Sequence, residues 1–207
     1  MFKQKYFIDT HKGITFVVLL AMMAWFGRWE SVTAWVYLAL HGTYGLLWVL
    51  KSRLFPDKQW EEDKGAAYAL LIIAGLSAYW VSGLLITWLD VKAPAWLIGL
   101  CVSMNVFGVF FHFVSDMQKY VQLKYHPGHL ITDGLFARTR NINYFGELLI
   151  YLSFALLSMH WLPLVILAGF VFGFWLGQMR KKDQSLARYA EFAAYKKKSK
   201  LFIPFLF

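Results

Sequence analysis

The sequence predicts an all-α fold: a polytopic membrane helical bundle of about six transmembrane helices, with both termini cytoplasmic. Three observations predict it. Hydrophobic residues make up 59% of the 207-residue chain and charged residues only 16%, which is far too apolar for a soluble domain of this size. The apolar residues gather into six runs, roughly 13 to 29, 31 to 50, 66 to 88, 95 to 115, 145 to 159 and 161 to 178, the middle ones approaching or exceeding the ~20 residues that span a bilayer. All of the 21 Lys and Arg except Arg28 and Lys92 then fall on one side, the asymmetry of the positive-inside rule. Helices are the only spanning element expected, because the alternating short segments of a membrane barrel are absent.

The first run follows Lys3, Lys5 and Lys12, which are read as flanking cations, and ends in Trp25-Phe-Gly-Arg-Trp29 without a small-residue cleavage site. It is expected to remain as a span. The second run carries His41, Tyr44 and Trp48 at spacings of three and four, one helical face. A tyrosine hydroxyl beside a histidine can donate a proton to a substrate, and the same pair can equally be a satisfied core contact. Residues 51 to 65 form the first large loop. The fourth run holds Cys101, the lone cysteine, so disulfides are excluded. It also sets Asn105, His112 and Asp116 on one stripe, which faces protein or water rather than lipid.

Residues 116 to 144 form the second large loop, and with the tail from Arg180 they place nearly all polar chemistry on the cytoplasmic face. His126 and His129 flank Pro127-Gly128 with no third ligand nearby, so no metal site is expected. Arg138 and Arg140 precede a helix start at Asn143-Tyr144-Phe-Gly146-Glu147, where free N–H groups and the macrodipole favour an anion. They read as phosphate ligands or as an interfacial snorkelling pair. Gly146 permits close approach by a neighbouring helix or a flat ligand. Glu147 and Tyr151 share a face one turn apart. The net charge of +9 is explained by topology rather than by nucleic acid, with Lys196, Lys197, Lys198 and Lys200 beside the apolar tail Leu201 to Phe207 at an anionic lipid surface. No soluble dinucleotide, phosphate-loop or hydrolase-elbow motif occurs, and without repeats or linkers residues 1 to 207 read as one integral membrane domain.

Ser115-Asp116, Pro127-Gly128, Gly134-Leu-Phe136, Asn143-Tyr-Phe-Gly146-Glu147, Tyr195, Lys200 and Phe202-Ile-Pro-Phe-Leu-Phe207 occur in that order. Over about residues 113 to 207 this resembles the C-terminal domain of the steroid 5α-reductase family. The resemblance implies NADPH-dependent reduction of a carbon–carbon double bond conjugated to a ketone on a lipophilic substrate. It carries over Asp116, Asn143, Glu147 and Arg180 as cofactor contacts. With Tyr144 and the charge-based Arg138 and Arg140 they make up the cofactor-binding set. Tyr44, His41 and Glu147 are the candidate catalytic residues, Tyr44 foremost as proton donor. The family's His-Tyr-x-His-Arg element is met at best by His41-Gly-Thr-Tyr44-Gly.

The frame Arg140-Asn-Ile-Asn-Tyr144-Phe-Gly146, with Lys182-Asp183-Gln-Ser-Leu186, is also similar to membrane methyltransferases of the isoprenylcysteine carboxyl and phospholipid type, without their His-Pro. That similarity implies S-adenosylmethionine as the cofactor. A membrane scaffold without turnover is the third reading. In each case the location is a multi-pass membrane, the cell membrane of a bacterium or the endoplasmic reticulum of a eukaryote. Membrane lipids are partners throughout.

Overall fold

A computed structural model describes residues 2–207. The expected runs are helices in the expected order, and the chain is an all-α, multi-pass membrane protein. The helices are α1 (Gln4–Trp25), α2 (Val32–Leu54), α3 (Ala66–Trp88), α4 (Ala95–Tyr125), α5 (Ile142–Leu157), α6 (Trp161–Leu186) and the short α7 (Phe192–Lys198). Five of them, α1 to α4 and α6, are long and apolar enough to cross a bilayer. The apolar α5 has 16 residues, about 24 Å at 1.5 Å per residue. Three rods change pitch within their length, α3 at a 3-10 turn over Ala78–Trp80. A π turn at Leu38–Gly42 interrupts α2, and another at Val171–Trp175 interrupts α6.

Several boundaries differ from the sequence reading, most of all the start of α1 and the end of α4, for one physical reason. Hydropathy stops where polar residues begin, whereas a helix continues wherever those residues find partners inside the protein. Thus α1 starts at Gln4 rather than near 13, with Gln4 bonded to Tyr68 Oη at 2.6 Å, His11 to Ser77 at 3.1 Å and Lys12 to Tyr151 at 2.6 Å. Lys12 is therefore a buried residue two turns into a helix and not a flanking cation. Likewise α4 runs ten residues past the expected limit, so the first part of the second large loop is helical.

A two-residue antiparallel ribbon, β1 (Phe2–Lys3) with β2 (Asp63–Lys64), ties the start of α1 to the loop before α3. Lys3 and Lys5 both bind Glu61, at 2.8 and 2.5 Å, and hold its carboxyl below the usual glutamate range, Lys3 contributing most.

The chain divides into two compact units. The first comprises Met1–Asn105 and Tyr151–Ile166; the second, Val106–Ile150 and Leu167–Phe207. In the first, α1 lies directly against α2, because a Cβ at Gly45 would run into the Lys12 backbone carbonyl. Its core includes Leu19, Met23, Tyr37, Leu38, Ile86 and Phe154. Trp25, Trp29 and Trp35 at the α1–α2 turn, Trp88 and Trp96 at the α3–α4 turn and Trp161 at the α5–α6 turn are all exposed, an interfacial aromatic belt. Arg28 and Lys92, the two cations set apart from the rest, share Asp90 at 3.7 and 3.0 Å.

In the second unit the core includes Phe136, Ile142, Ile150, Met179, Phe192, Tyr195 and Phe202. It joins the later turns of α4 to the start of α5, the later turns of α6, α7 and the tail.

Candidate functional site

Close packing of α4 on α5 builds the polar centre of the second unit. A Cβ at Gly146 would stand 2.5 Å from the His112 backbone nitrogen and 2.6 Å from the Gly108 carbonyl, and one at Gly108 would stand 2.8 Å from the Gly146 carbonyl. Only glycine allows two helices to meet backbone to backbone in this way. The close approach expected of Gly146 is thus made by a neighbouring helix. It sets the stripe of α4 against the first turns of α5. His112 Nδ1 lies 3.3 Å from the Asn143 carbonyl, and its Nε2 lies 3.8 Å from Asp116 and 3.9 Å from Glu147. A carbonyl only accepts, so Nδ1 carries the proton in that contact and Nε2 faces the two carboxylates. Asp116 is buried and Glu147 half-buried. The sequence reading placed His112 on the right stripe without naming it as a site residue.

The preceding loop is fastened to α4 by two glutamines. Gln118 Nε2 donates to the Asp133 carbonyl at 3.0 Å and to its carboxylate at 3.1 Å, and its Oε1 accepts from Leu135 N at 3.1 Å; Gln122 donates to the same carboxylate at 3.0 Å. Gly134 turns between them at φ +53°, with Gln118 directly beneath it, a conformation that disfavours any side chain.

From the other side the tail braces the segment. Lys200 N donates to the Arg138 carbonyl at 2.8 Å and Arg140 N to the Lys200 carbonyl at 2.9 Å. Asn141 Nδ2 reaches the Leu201 carbonyl at 2.9 Å, Lys182 the Arg140 carbonyl at 2.9 Å and Tyr195 Oη the Phe136 carbonyl at 2.6 Å. Burial pushes the Tyr195 phenol up to about 12. Tyr195 and Lys200 thus hold a loop far from them in sequence.

The expected cofactor contacts divide by role. Arg140 is buried, its Nε and Nη2 paired with the two Asp183 oxygens at 2.9 and 3.0 Å, and its Nη1 on the Ser199 carbonyl at 2.6 Å. In this conformation its donors serve the brace. Arg138 and Arg180 are exposed in the same unit. Tyr144 packs edge-on to Trp175, ring centroids 5.6 Å apart. Among the described residues, Asn143 Oδ1, Thr139 Oγ1 and Asn141 Oδ1 are buried oxygens without a hydrogen-bond partner. A buried unsatisfied acceptor costs about 1–3 kcal/mol, and all three lie within the five residues that enter α5. Oxygens awaiting donors, carboxylates on a histidine and two exposed guanidiniums are a donor and acceptor set that fits a nucleotide, with its amide, hydroxyl and phosphate groups.

Tyr44 and His41 belong to the first unit. Tyr37 Oη lies 2.8 Å from His41 Nδ1 and 3.2 Å from the Tyr79 carbonyl. The Tyr37 hydroxyl thus bridges the His41 ring and the Tyr79 carbonyl. His41 also stacks on Phe154 at 4.3 Å; both contacts fix its place in the core. Tyr44 is buried, with its ring against Trp48, Tyr151 and Phe154. Two residues outside the expected sets stand beside it. The Lys12 ammonium bonds Tyr151 Oη and lies 4.6 Å from the Tyr44 ring centre.

Gly146→Ala should destabilise the protein by about 3 kcal/mol, the upper range for overpacking a rigid contact. Gly169→Ala, where a Cβ meets open space, should fall within about 0.5 kcal/mol of the parent; equal unfolding midpoints in non-ionic detergent would remove the crossing from its role. Because burial raises the Tyr195 phenol above its ordinary value of 10.0, its contribution is complete below that pH and is lost as pH rises toward the folded value. Tyr195→Phe should flatten this alkaline loss in a pH series of unfolding, while lowering neutral stability by about 1–3 kcal/mol through the orphaned Phe136 carbonyl.

No curated protein matches the chain. The family model described as Protein of unknown function (DUF1295) matches residues 1–200, nearly the full length, and the chain belongs to that family.

Proposed function

We propose that this protein is a membrane-embedded, NADPH-dependent reductase of a lipophilic enone. One observation carries the reading: Asp116 on α4 and Asn143 and Glu147 on α5, singled out by the resemblance to the steroid 5α-reductase C-terminal domain, meet around His112 at the Gly108–Gly146 crossing. Asn143 adds a buried oxygen awaiting a donor. NADPH, when bound, supplies the hydride that saturates the double bond.

The chain's own residues hold and orient. Arg138 and Arg180 bind phosphate, and Arg140, locked to Asp183, keeps the loop in place for them. Asn143 and Thr139 accept from amide and hydroxyl groups. Asp116 and Glu147 keep the His112 ring oriented. Tyr44 is the assigned proton donor to the oxygen of the reduced enone, where charge develops. His41 positions the α2 turn that carries it. Cofactor entry is from the cytoplasm, the side to which the cation distribution assigns the second unit's loops.

The test is thermal stabilisation of detergent-purified protein. A ligand at one hundred times its Kd raises stability by about 2.7 kcal/mol. NADPH should do so and S-adenosylmethionine should not. The reverse result would establish the methyltransferase reading in its place, and protection by neither would leave the scaffold. Arg138→Glu should weaken NADPH binding about tenfold at low ionic strength, and less in high salt because an exposed charge is screened; an affinity equal to the parent's at low salt would remove Arg138 from the site.

A further inference from the structure

Between Arg180 and Lys200 the chain carries eight Lys and Arg against two acids, Asp183 and Glu191. Asp183 is already engaged by Arg140, so positive charge dominates the stretch. The fold concentrates it further. Lys200 N donates to the Arg138 carbonyl, its own carbonyl accepts from Arg140 N, Lys182 Nζ reaches the Arg140 carbonyl, and Lys196 Nζ lies 3.8 Å from Asp183. Cation-rich stretches of the loop, of α6 and of α7 are thereby drawn together, although they are remote in sequence. Arg138, Lys181, Lys197, Lys198 and Lys200, which make these contacts or adjoin residues that do, are all exposed.

Like charges gathered at a surface repel one another, and the repulsion opposes the contacts that gather them. Closing the brace on the loop that enters α5 therefore carries an electrostatic cost, which a negatively charged partner removes. The sequence indicates where that partner lies. The helix α6 is apolar as far as Met179 and cationic from Arg180, and α5 becomes apolar at Ile142, directly after Arg140 and Asn141. The Arg140–Asp183 pair ties these two transitions together, and a change from apolar to cationic along a membrane helix marks the head-group layer. In the same tail Phe205 and Leu206 are each 77% exposed, large apolar side chains that suit acyl chains rather than a soluble polyanion.

We propose that α7 and the tail dock on the anionic phospholipid head groups of one leaflet, and that this docking tightens the brace on the residues entering α5. The docking cations are Lys181, Lys197, Lys198 and Lys200. With the brace closed they form one dense positive surface, and with it open they are dispersed. Anionic lipid therefore binds the closed form better and shifts the equilibrium toward it by that difference. The lipid's charge thus governs how firmly the segment carrying Thr139, Asn141 and Asn143 is held. None of this rests on the identity of the cofactor.

Hydrogen exchange of the full chain in lipid nanodiscs, read over residues 136–142 without NADPH, tests the proposal. Discs of phosphatidylcholine that contain phosphatidylglycerol should slow exchange at least about fivefold relative to phosphatidylcholine alone, the effect of about one cation at a charged surface. The difference should shrink in high salt, because exposed charges are screened. In Lys197→Gln/Lys198→Gln/Lys200→Gln the slowing should fall below about twofold, whereas replacing the same three lysines by arginine, which keeps the charge, should preserve it. Equal exchange of the parent in the two discs overturns the proposal, as does full slowing in the glutamine variant or its loss in the arginine variant. Inorganic phosphate or a single-stranded oligonucleotide, added to phosphatidylcholine discs at matched ionic strength, should leave exchange unchanged. Slowing by either as large as that by phosphatidylglycerol would reveal a site for free anions or for nucleic acid and would also overturn it. Because NADPH is absent throughout, failure here leaves the reductase reading standing, and failure of NADPH stabilisation leaves the lipid result standing.

Discussion

Backbone contact between α4 and α5 at Gly108 and Gly146 is the constraint on which the second unit's polar chemistry depends. Two helices separated by ordinary side chains lie about 8–10 Å apart, and closing that gap is what lets His112 on α4 meet the Asn143 carbonyl and Glu147 on α5. Removing both Cβ atoms brings His112 within reach of the Asn143 carbonyl and sets two carboxylates about its other nitrogen. Within a membrane, where apolar surface gains nothing by leaving lipid, such close contact and the hydrogen bonds it permits are the main source of helix association. The contact that forms the polar centre is therefore also the one that holds its helices together.

Arg140 illustrates how the same segment is fixed from outside. A guanidinium at a helix start reads from sequence as an anion ligand, because nothing in the local pattern discloses Asp183 some forty residues later or the Ser199 carbonyl beyond it. Once the tail is in place, the bidentate pair and the parallel bridge at Thr139 and Lys200 hold the loop that enters α5. Arg138 stays exposed beside it. Charge identified the pair of arginines, but long-range partners decided which of them is committed to structure.

Much of the architecture was legible. The third run, 66 to 88, coincides with α3 to the residue, and all six runs became helices, because in lipid the backbone must satisfy itself and apolar length is a direct signal. The charged edges were less legible. Lys12 was read as a flanking cation because hydropathy cannot distinguish a lysine in water from one whose ammonium rests on Tyr151, Tyr44 and Trp48, residues contributed by two other helices. The extension of α4 was hidden in the same way by Gln118 and Gln122, polar residues that bind a loop. The stripe Asn105, His112 and Asp116 was legible by spacing, yet its division between the units was not: Asn105 bonds Ser153 in the first at 3.4 Å, while the other two serve the second.

The shortness of α5 bears on the surrounding membrane. At about 24 Å it falls short of a hydrocarbon layer of about 30 Å, and such a mismatch is relieved by local thinning of the bilayer at a fraction of a kcal/mol per ångström. A bilayer thinner than that meets a rod of this length at lower cost than a thick one does.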